Sequence, residues 1–461
     1  MYGTSSIIRA TNLKCQNKKG KVYKMKKRWL AVLCSALMVV SAACSSSGTK
    51  SGDAPGDKSD AFVIKDPVTL RVLIEIPGMT DDEWNKYFTD PVQKKYPQIS
   101  FEILRPTQGQ TLNDLVAAGN IPDLIYGGPP QRERVDMQIP LDLREQLKKH
   151  DIDISKINPN IMDSIKQLGD NGELYGLPFT QNAFALWYNK GIFDKFGVPY
   201  PTDGMTWDQA AELAKKVSRL EGGVNYLGLY VTHGGVTTFA SPLSIEMVDK
   251  KTQQALVPDI WKTIFERAMK IYDIPNNKPK VVGLDTINAF IKDQNIAMAA
   301  YYSIGMFSFL PQAKGLDWDV VQLPSHPEAP NKYLQADYHQ FLVSRTSKHI
   351  DAAMEVLKIA LSDEVQTIAT RSGKLTVLKN AQILDQFAAD QEFAKGKNIK
   401  GIFKSEPSTL IPQSKYNGPV DAAIRKAFVS VFEGKTDINT ALRTAKEEAD
   451  KNIANIKLGE K

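Results

Sequence analysis

Hydrophobic and polar positions along the chain fall into regular periods from about residue 68 onward, but an unbroken run precedes them. Leu30 to Ala43 are fourteen consecutive residues of apolar or small side chain. A transmembrane helix needs roughly 20 apolar residues, so this run is too short to span a bilayer. Ser45 to Asp60 then hold almost nothing that could be buried, which makes residues 44–65 a flexible tether. The first regular element is Val68 to Ile76 (VTLRVLIEI), rich in β-branched and aliphatic residues and closed by Pro77-Gly78, the pattern of a buried strand and a turn. A helix through Trp84 to Lys95 leads past Pro97 to a second strand at Ile99 to Leu104. A helix over Leu112 to Ala118 then stops at Gly119-Asn120, and Pro122 to Tyr126 supply a short strand before Gly127-Gly128. Strand and helix in alternation predict an α/β domain.

Further along, Thr206-Trp207-Asp208-Gln209 forms a capping box. Ala210, Leu213, Ala214 and Val217 follow at helical spacing. Ile350, Ala353, Met354, Leu357 and Leu361 make a second apolar stripe, preceded by a strand over Gln340 to Ser344. Leu442, Ala445, Ala449, Ile453 and Ile456 make a third. Stripes of this kind are core faces. Roughly 400 residues follow the tether, enough for two domains, because single cores stop growing near 250 to 300 residues.

Charge changes the picture at the N-terminus. The chain's formal charge is +6, yet nine positive charges and no acid lie in the first 44 residues, leaving the remainder at −3. Nucleic acid is therefore not an expected partner. Cys15, Cys34 and Cys44, the chain's three cysteines, all lie at or before residue 44. Disulfides and thiolate metal sites are thus excluded from the body.

Lys26, Lys27 and Arg28, the apolar run, and Ala42-Ala43-Cys44 together resemble the signal and lipobox of bacterial lipoproteins, with Ser41 where a leucine is usual. That resemblance implies a lipoprotein signal over 25–43, lipid attachment at Cys44, and an over-extended start over 1–24.

A series of segments in the body resembles extracellular solute-binding proteins of family 1, the sugar receptors of ABC importers. They are Asp114 to Gly119 with Pro122 to Ile125, Gly172 to Phe179 leading to Leu186 to Phe193, Pro201 with Thr206-Trp207, and Phe290-Ile291-Lys292 with Ala297-Met298. Trp318-Asp319-Val320 with Leu323-Pro324, Ile411-Pro412-Gln413, and Phe432 to Lys435 complete the series.

The resemblance implies an α/β fold of two periplasmic-binding-protein-like lobes (type II), with a ligand cleft between them and a hinge of several segments. Lobe 1 would hold 66–180 and 336–375, lobe 2 the stretches 181–335 and 376–461. The ligand would be a carbohydrate, an oligosaccharide. The partners would be ABC permease subunits and, through the lipid, the outer face of a Gram-positive cell membrane. The protein would act as a monomer without a cofactor.

On the cleft loops this places Tyr126, Gln181, Asn182, His233, Tyr302, Asp337, Tyr338 and Tyr416, aromatic faces for sugar C–H surfaces and polar groups for hydroxyls. Trp187 and Tyr188 lie in an apolar strand, and at least one of them belongs to the core.

Two other functions compete. A surface glycoside hydrolase needs two carboxylates facing each other across a cleft, and no motif singles out such a pair. Tyr301-Tyr302 has the phenolates of a ferric-ion receptor, but neighbours in a strand point to opposite faces, so one core and one cleft tyrosine is the better reading. The five histidines are scattered, and Asp151-Ile152-Asp153 lacks the glycine and distal glutamate of a calcium loop. No metal is expected.

Overall fold

Val68–Ile74 forms strand β1, with Leu70, Val72, Leu73 and Ile74 buried. In this computed structural model, residues 62–76, 79–129, 132–232, 235–411 and 414–459 are described. The apolar run, Cys44 and most of the expected tether lie outside them. The tether expected through residue 65 is already docked at Phe62, whose ring lies 4.7 Å from that of His150, because Phe62 and Ile64 are apolar enough to pack on the body.

The remaining strands, in chain order, begin with β2 (Ile99–Leu104), β3 (Leu124–Gly127), β4 (Leu177–Gln181) and β5 (Phe184–Asn189). A small hairpin, β6 (Arg219–Glu221) and β7 (Val224–Tyr226), and then β8 (Met298–Tyr302) and β9 (Trp318–Gln322) follow. The last four are β10 (Lys332–Tyr333), β11 (Tyr338–Val343), β12 (Leu375–Thr376) and β13 (Glu406–Pro407).

The first sheet has the order β12-β4-β11-β3-β1-β2. β1 runs parallel to β2 and β3, and helices make the crossovers between them. Both crossovers begin on capping boxes, Thr80 with Glu83 and Thr111 with Asp114, which satisfy backbone donors that a helix start leaves open. β11 enters antiparallel beside β3 and β4. The core under this sheet is aromatic, with Phe88 4.6 Å from Phe179 and 5.1 Å from Phe341, ring to ring.

The second sheet, β8-β5-β9, is antiparallel throughout. Trp187 and Tyr188 on its central strand are both buried. Around it pack the helices Trp207–Val217, Ile260–Tyr272, Asn417–Phe432 and Ile438–Gly459. The box expected at Thr206 and Gln209 caps the first of these.

The two sheets have separate cores. The first core continues through Val377, Leu378 and Ile383, beyond the lobe boundary expected at 375. The reason is local: Val377 accepts a backbone bond from Asn158 at 2.8 Å, and Leu378 bridges to Ile157.

Candidate ligand-binding cleft

The chain passes from one core to the other along adjacent strands. β4 continues through Asn182 into β5, and β10 continues through Leu334 to Asp337 into β11. Where these cross, the Asn182 N–H donates to the Asp337 carbonyl at 2.8 Å. Tyr338 pairs with Gln181 in antiparallel register, and Leu375 of β12 pairs with Gln181 from the other side. The Gln181 amide donates to the Thr376 carbonyl at 2.6 Å, so this one residue ties the two crossings to β12. Asn182 Oδ1 accepts from the Ile304 N–H at 3.3 Å, reaching the helix Ser303–Phe309 beside the second sheet.

Against this junction lies a cavity of about 290 Å³. Pro129 from the first half, Thr237, Trp261, Tyr302 and Arg425 from the second, and Asp337 from the crossing all line it. A larger groove of about 990 Å³ shares Met247 with it and has Arg132, Asp136 and Met137 on the bank of the first half. Concave sites of a few hundred Å³ with a few convergent polar groups are the usual form of a small-molecule site.

The cavity wall carries unusual electrostatics. Burial pushes the Asp337 carboxyl up to about 6, although a bond from Asn182 Nδ2 at 3.4 Å pulls the other way. Burial raises the Tyr302 phenol well above its ordinary range, and the nearby Asp337 adds to the rise. Arg425 Nε lies 2.6 Å from Asp421 Oδ2, one turn earlier on its helix. Gly235 has φ +96°, and a Cβ there would collide with the Arg425 guanidinium, so the position needs glycine twice over.

Of the residues expected at the cleft, Tyr302 and Asp337 line the cavity, with Gln181 and Asn182 at the crossing beside it. Tyr338 is fully buried on β11 with its hydroxyl 3.2 Å from Ser164. Tyr126 is not a cleft residue. It sits within β3 rather than on the loop after it, wholly buried, with its ring 4.7 Å from Phe341. Tyr416 is also buried in the second core, with Lys415 and Lys457 over its ring at 5.2 Å and 5.3 Å. Neither ring has a free face for a sugar. His233 lies outside the described residues.

Sequence reasoning missed Thr237, Trp261, Asp421 and Arg425. The spacing of Asp421 and Arg425 marks an ion pair on a helix face, but not that the face borders a cavity. Among the described residues no group of three His, Cys, Asp or Glu side chains is placed to hold a metal, and no helix is long and apolar enough to cross a membrane.

The model of the bacterial extracellular solute-binding protein family matches residues 86–395. The chain belongs to that family. The solute-binding protein is 36% identical over 70 residues to binding proteins of Brucella abortus and Brucella suis, and the matched stretch spans 15% of this chain and 14% of theirs.

Among solved structures, a Listeria monocytogenes ABC substrate-binding protein in complex with cycloalternan is 19% identical, with a TM-score of 0.67 over 84% of this chain and 99% of that one. A Rhizobium etli sugar transporter protein in an open conformation is 22% identical, with a TM-score of 0.64 over 83% of this chain and 99% of that one. The maltodextrin-binding domain of Bdellovibrio bacteriovorus bound to maltotriose is 20% identical, with a TM-score of 0.63 over 84% and 100%. The solute-binding protein thus has the two-lobe architecture of periplasmic binding proteins, and its family works at the cell envelope.

Proposed function

We propose that this solute-binding protein captures a carbohydrate outside the cell and delivers it to the membrane subunits of an ABC importer by closing its two lobes over the bound sugar. The observation that carries the reading is the Asn182–Asp337 junction, which sets a cavity lined from both halves directly against the strands that join them. A polar ligand held from both sides is fully hydrogen-bonded only in the closed state, so binding shifts the population toward closure. The bound cycloalternan and maltotriose of structurally similar proteins support a sugar as the ligand.

In this reading Tyr302 offers a ring face, Asp337 accepts from ligand hydroxyls, and Gln181 and Asn182 act at the hinge. Lobe 1 comprises 66–180 and 336 to about 383, and lobe 2 the rest. The protein is a monomer held by a lipid on Cys44 at the outer face of a Gram-positive cell membrane, and it performs no catalysis.

A thermal-shift screen of mono- and oligosaccharides tests the reading. A ligand at 100 times its Kd adds about 2.7 kcal/mol of stability by mass action. A melting temperature that rises with sugar concentration is expected, and a flat response to every sugar would contradict it.

A further inference from the structure

We infer that Phe62 and His150 form a proton-dependent clasp, which holds the segment leading into the body against the first half and lets it go when the cluster beneath it loses a proton. The inference goes beyond the proposed function and does not depend on it.

The first observation is a strap. Residues 62–67 precede β1, which begins at Val68. The Ile64 carbonyl accepts from the Gln98 side-chain amide, and the Val68 N–H donates to the Gln98 carbonyl at 3.0 Å. The Ile64 side chain packs on the core of the first sheet. At the outer end the Phe62 ring lies 4.7 Å from the His150 ring, tilted by 40°, with the Lys149 ammonium 5.3 Å from its centre. The strap is thus tied at Ile64 and rests on His150 at Phe62.

The second observation is a proton count. His150 is buried, with Nδ1 2.8 Å from Glu355 Oε1 and Nε2 3.0 Å from Asp351 Oδ1. A neutral imidazole has one donor and one acceptor, whereas a carboxylate only accepts. The Asp351 side chain is 40% exposed and lies 2.5 Å from Lys149 Nζ, so it stays ionised and Nε2 carries a hydrogen. The bond between Nδ1 and Glu355 Oε1 needs a hydrogen of its own, on one atom or the other. His150 and Glu355 therefore share one proton more than a neutral ring and a carboxylate hold, and they titrate as a pair.

The other charged and titratable groups around the pair leave that bond to the ring. The Tyr96 hydroxyl donates to Glu355 Oε2 at 2.5 Å, and Lys95 Nζ stands 3.6 Å from the same oxygen. Lys358 Nζ donates to the His150 carbonyl at 2.7 Å. Lys65, Asp66, Lys348 and His349 line a pocket of about 440 Å³ beside the strap. His349 is a second titrating ring near Phe62, and the test must tell the two apart.

Loss of the shared proton leaves a buried lone pair facing a carboxylate oxygen, which is both unsatisfied and repelled. It also removes a cation from beneath an aromatic face. Both effects loosen Phe62. The clasp is closed at the pH where the pair holds its proton and opens as the pH rises through the loss. Once open, residues 62–67 add about 20 Å to the reach of the chain before them.

Chymotrypsin, which cuts after phenylalanine, tests this on the full chain in detergent. Cleavage between Phe62 and Val63 requires the Phe62 ring to leave His150. Its rate is read by mass spectrometry of the fragment beginning at Val63, between pH 6 and 9 and within the range where circular dichroism shows the body folded. A free peptide of residues 58–67, cut under the same conditions, removes the protease's own pH dependence. Relative to the peptide, the protein should be protected at pH 6 and lose about tenfold or more of that protection by pH 9. Glu355→Gln gives the ring a neutral partner of the same shape, whose amide donates to Nδ1 and whose carbonyl accepts from Tyr96. No extra proton is then needed, and protection should not change with pH. His349→Gln should keep the wild-type fall, and it serves as the second variant should Glu355→Gln fail to fold.

Wild-type protection that is the same at both ends of the range would overturn the inference. So would the full wild-type fall in Glu355→Gln, or its disappearance in His349→Gln.

Discussion

Arg267 Nη1 donates to His326 Nδ1 at 2.7 Å, and that one bond sets the state of a buried ring. With Nδ1 accepting, the proton resides on Nε2, which donates to the Phe239 carbonyl at 2.8 Å. Phe239 belongs to the helix Val236–Ala240, whose Thr237 and Thr238 line the cavity. His326 thereby holds part of the cleft wall in place.

Burial, then the Arg267 charge, push the His326 imidazole down to about 4, and burial takes His339 down to about 3. A ring kept neutral in the folded state binds its proton more readily when unfolded. Its stabilisation is therefore complete above about 6.5 and is lost as the pH falls from there toward 4. For His326 alone the loss is about 3 kcal/mol. Thermal melting at pH 7.5 and 5 should show the drop, and His326→Gln should flatten the dependence. A variant as acid-sensitive as the wild type would contradict the assignment.

Asp337 has the opposite sign. Its carboxyl is raised to about 6 in the folded protein, so its ionised form costs stability at neutral pH, and stability is recovered as the pH falls through 6 toward the unfolded value near 4. Asp337→Asn should therefore raise stability at pH 7.5 by ~1–2 kcal/mol, after allowance for its partial exposure, while weakening sugar binding. Melting curves and calorimetry on the same preparation check both halves.

Tyr126 separates core from cleft. Its hydroxyl faces that of Thr180 without a well-formed hydrogen bond, so Tyr126→Phe should change stability little. Tyr126→Ala empties a ring from the core of the first sheet and should cost about 3–5 kcal/mol. Neither should alter sugar affinity in the protein that remains folded. Denaturant titration gives the first quantity and calorimetry the second.

The amphipathic helices, the strand at Val68 and the Thr206 box were legible in the sequence because periodicity and capping are local properties. Tyr302 and Asp337, which line the cavity, were singled out through the order of family motifs. Tyr126 was misplaced because the pattern does not say whether a strand ends before or after its last aromatic residue, and here β3 runs on to Gly127. Trp261 was invisible for a different reason. An aromatic residue on the apolar face of a helix reads as core, and it is core; that its side chain also borders a cavity depends on which elements pack opposite it.

If Cys44 carries lipid, Cys44→Ser should move the protein from the detergent phase of a cell extract to the culture medium. Two acyl chains anchor stably where one binds reversibly. Equal release of both forms would remove the lipid from the account.

The central claim, closure of two lobes over a bound sugar, is tested most directly by small-angle X-ray scattering with and without a saturating oligosaccharide. The account predicts a smaller radius of gyration in the bound state and no change for Asp337→Asn at the same sugar concentration if binding is lost. An unchanged profile for the wild type at proven saturation would contradict closure and leave a rigid site.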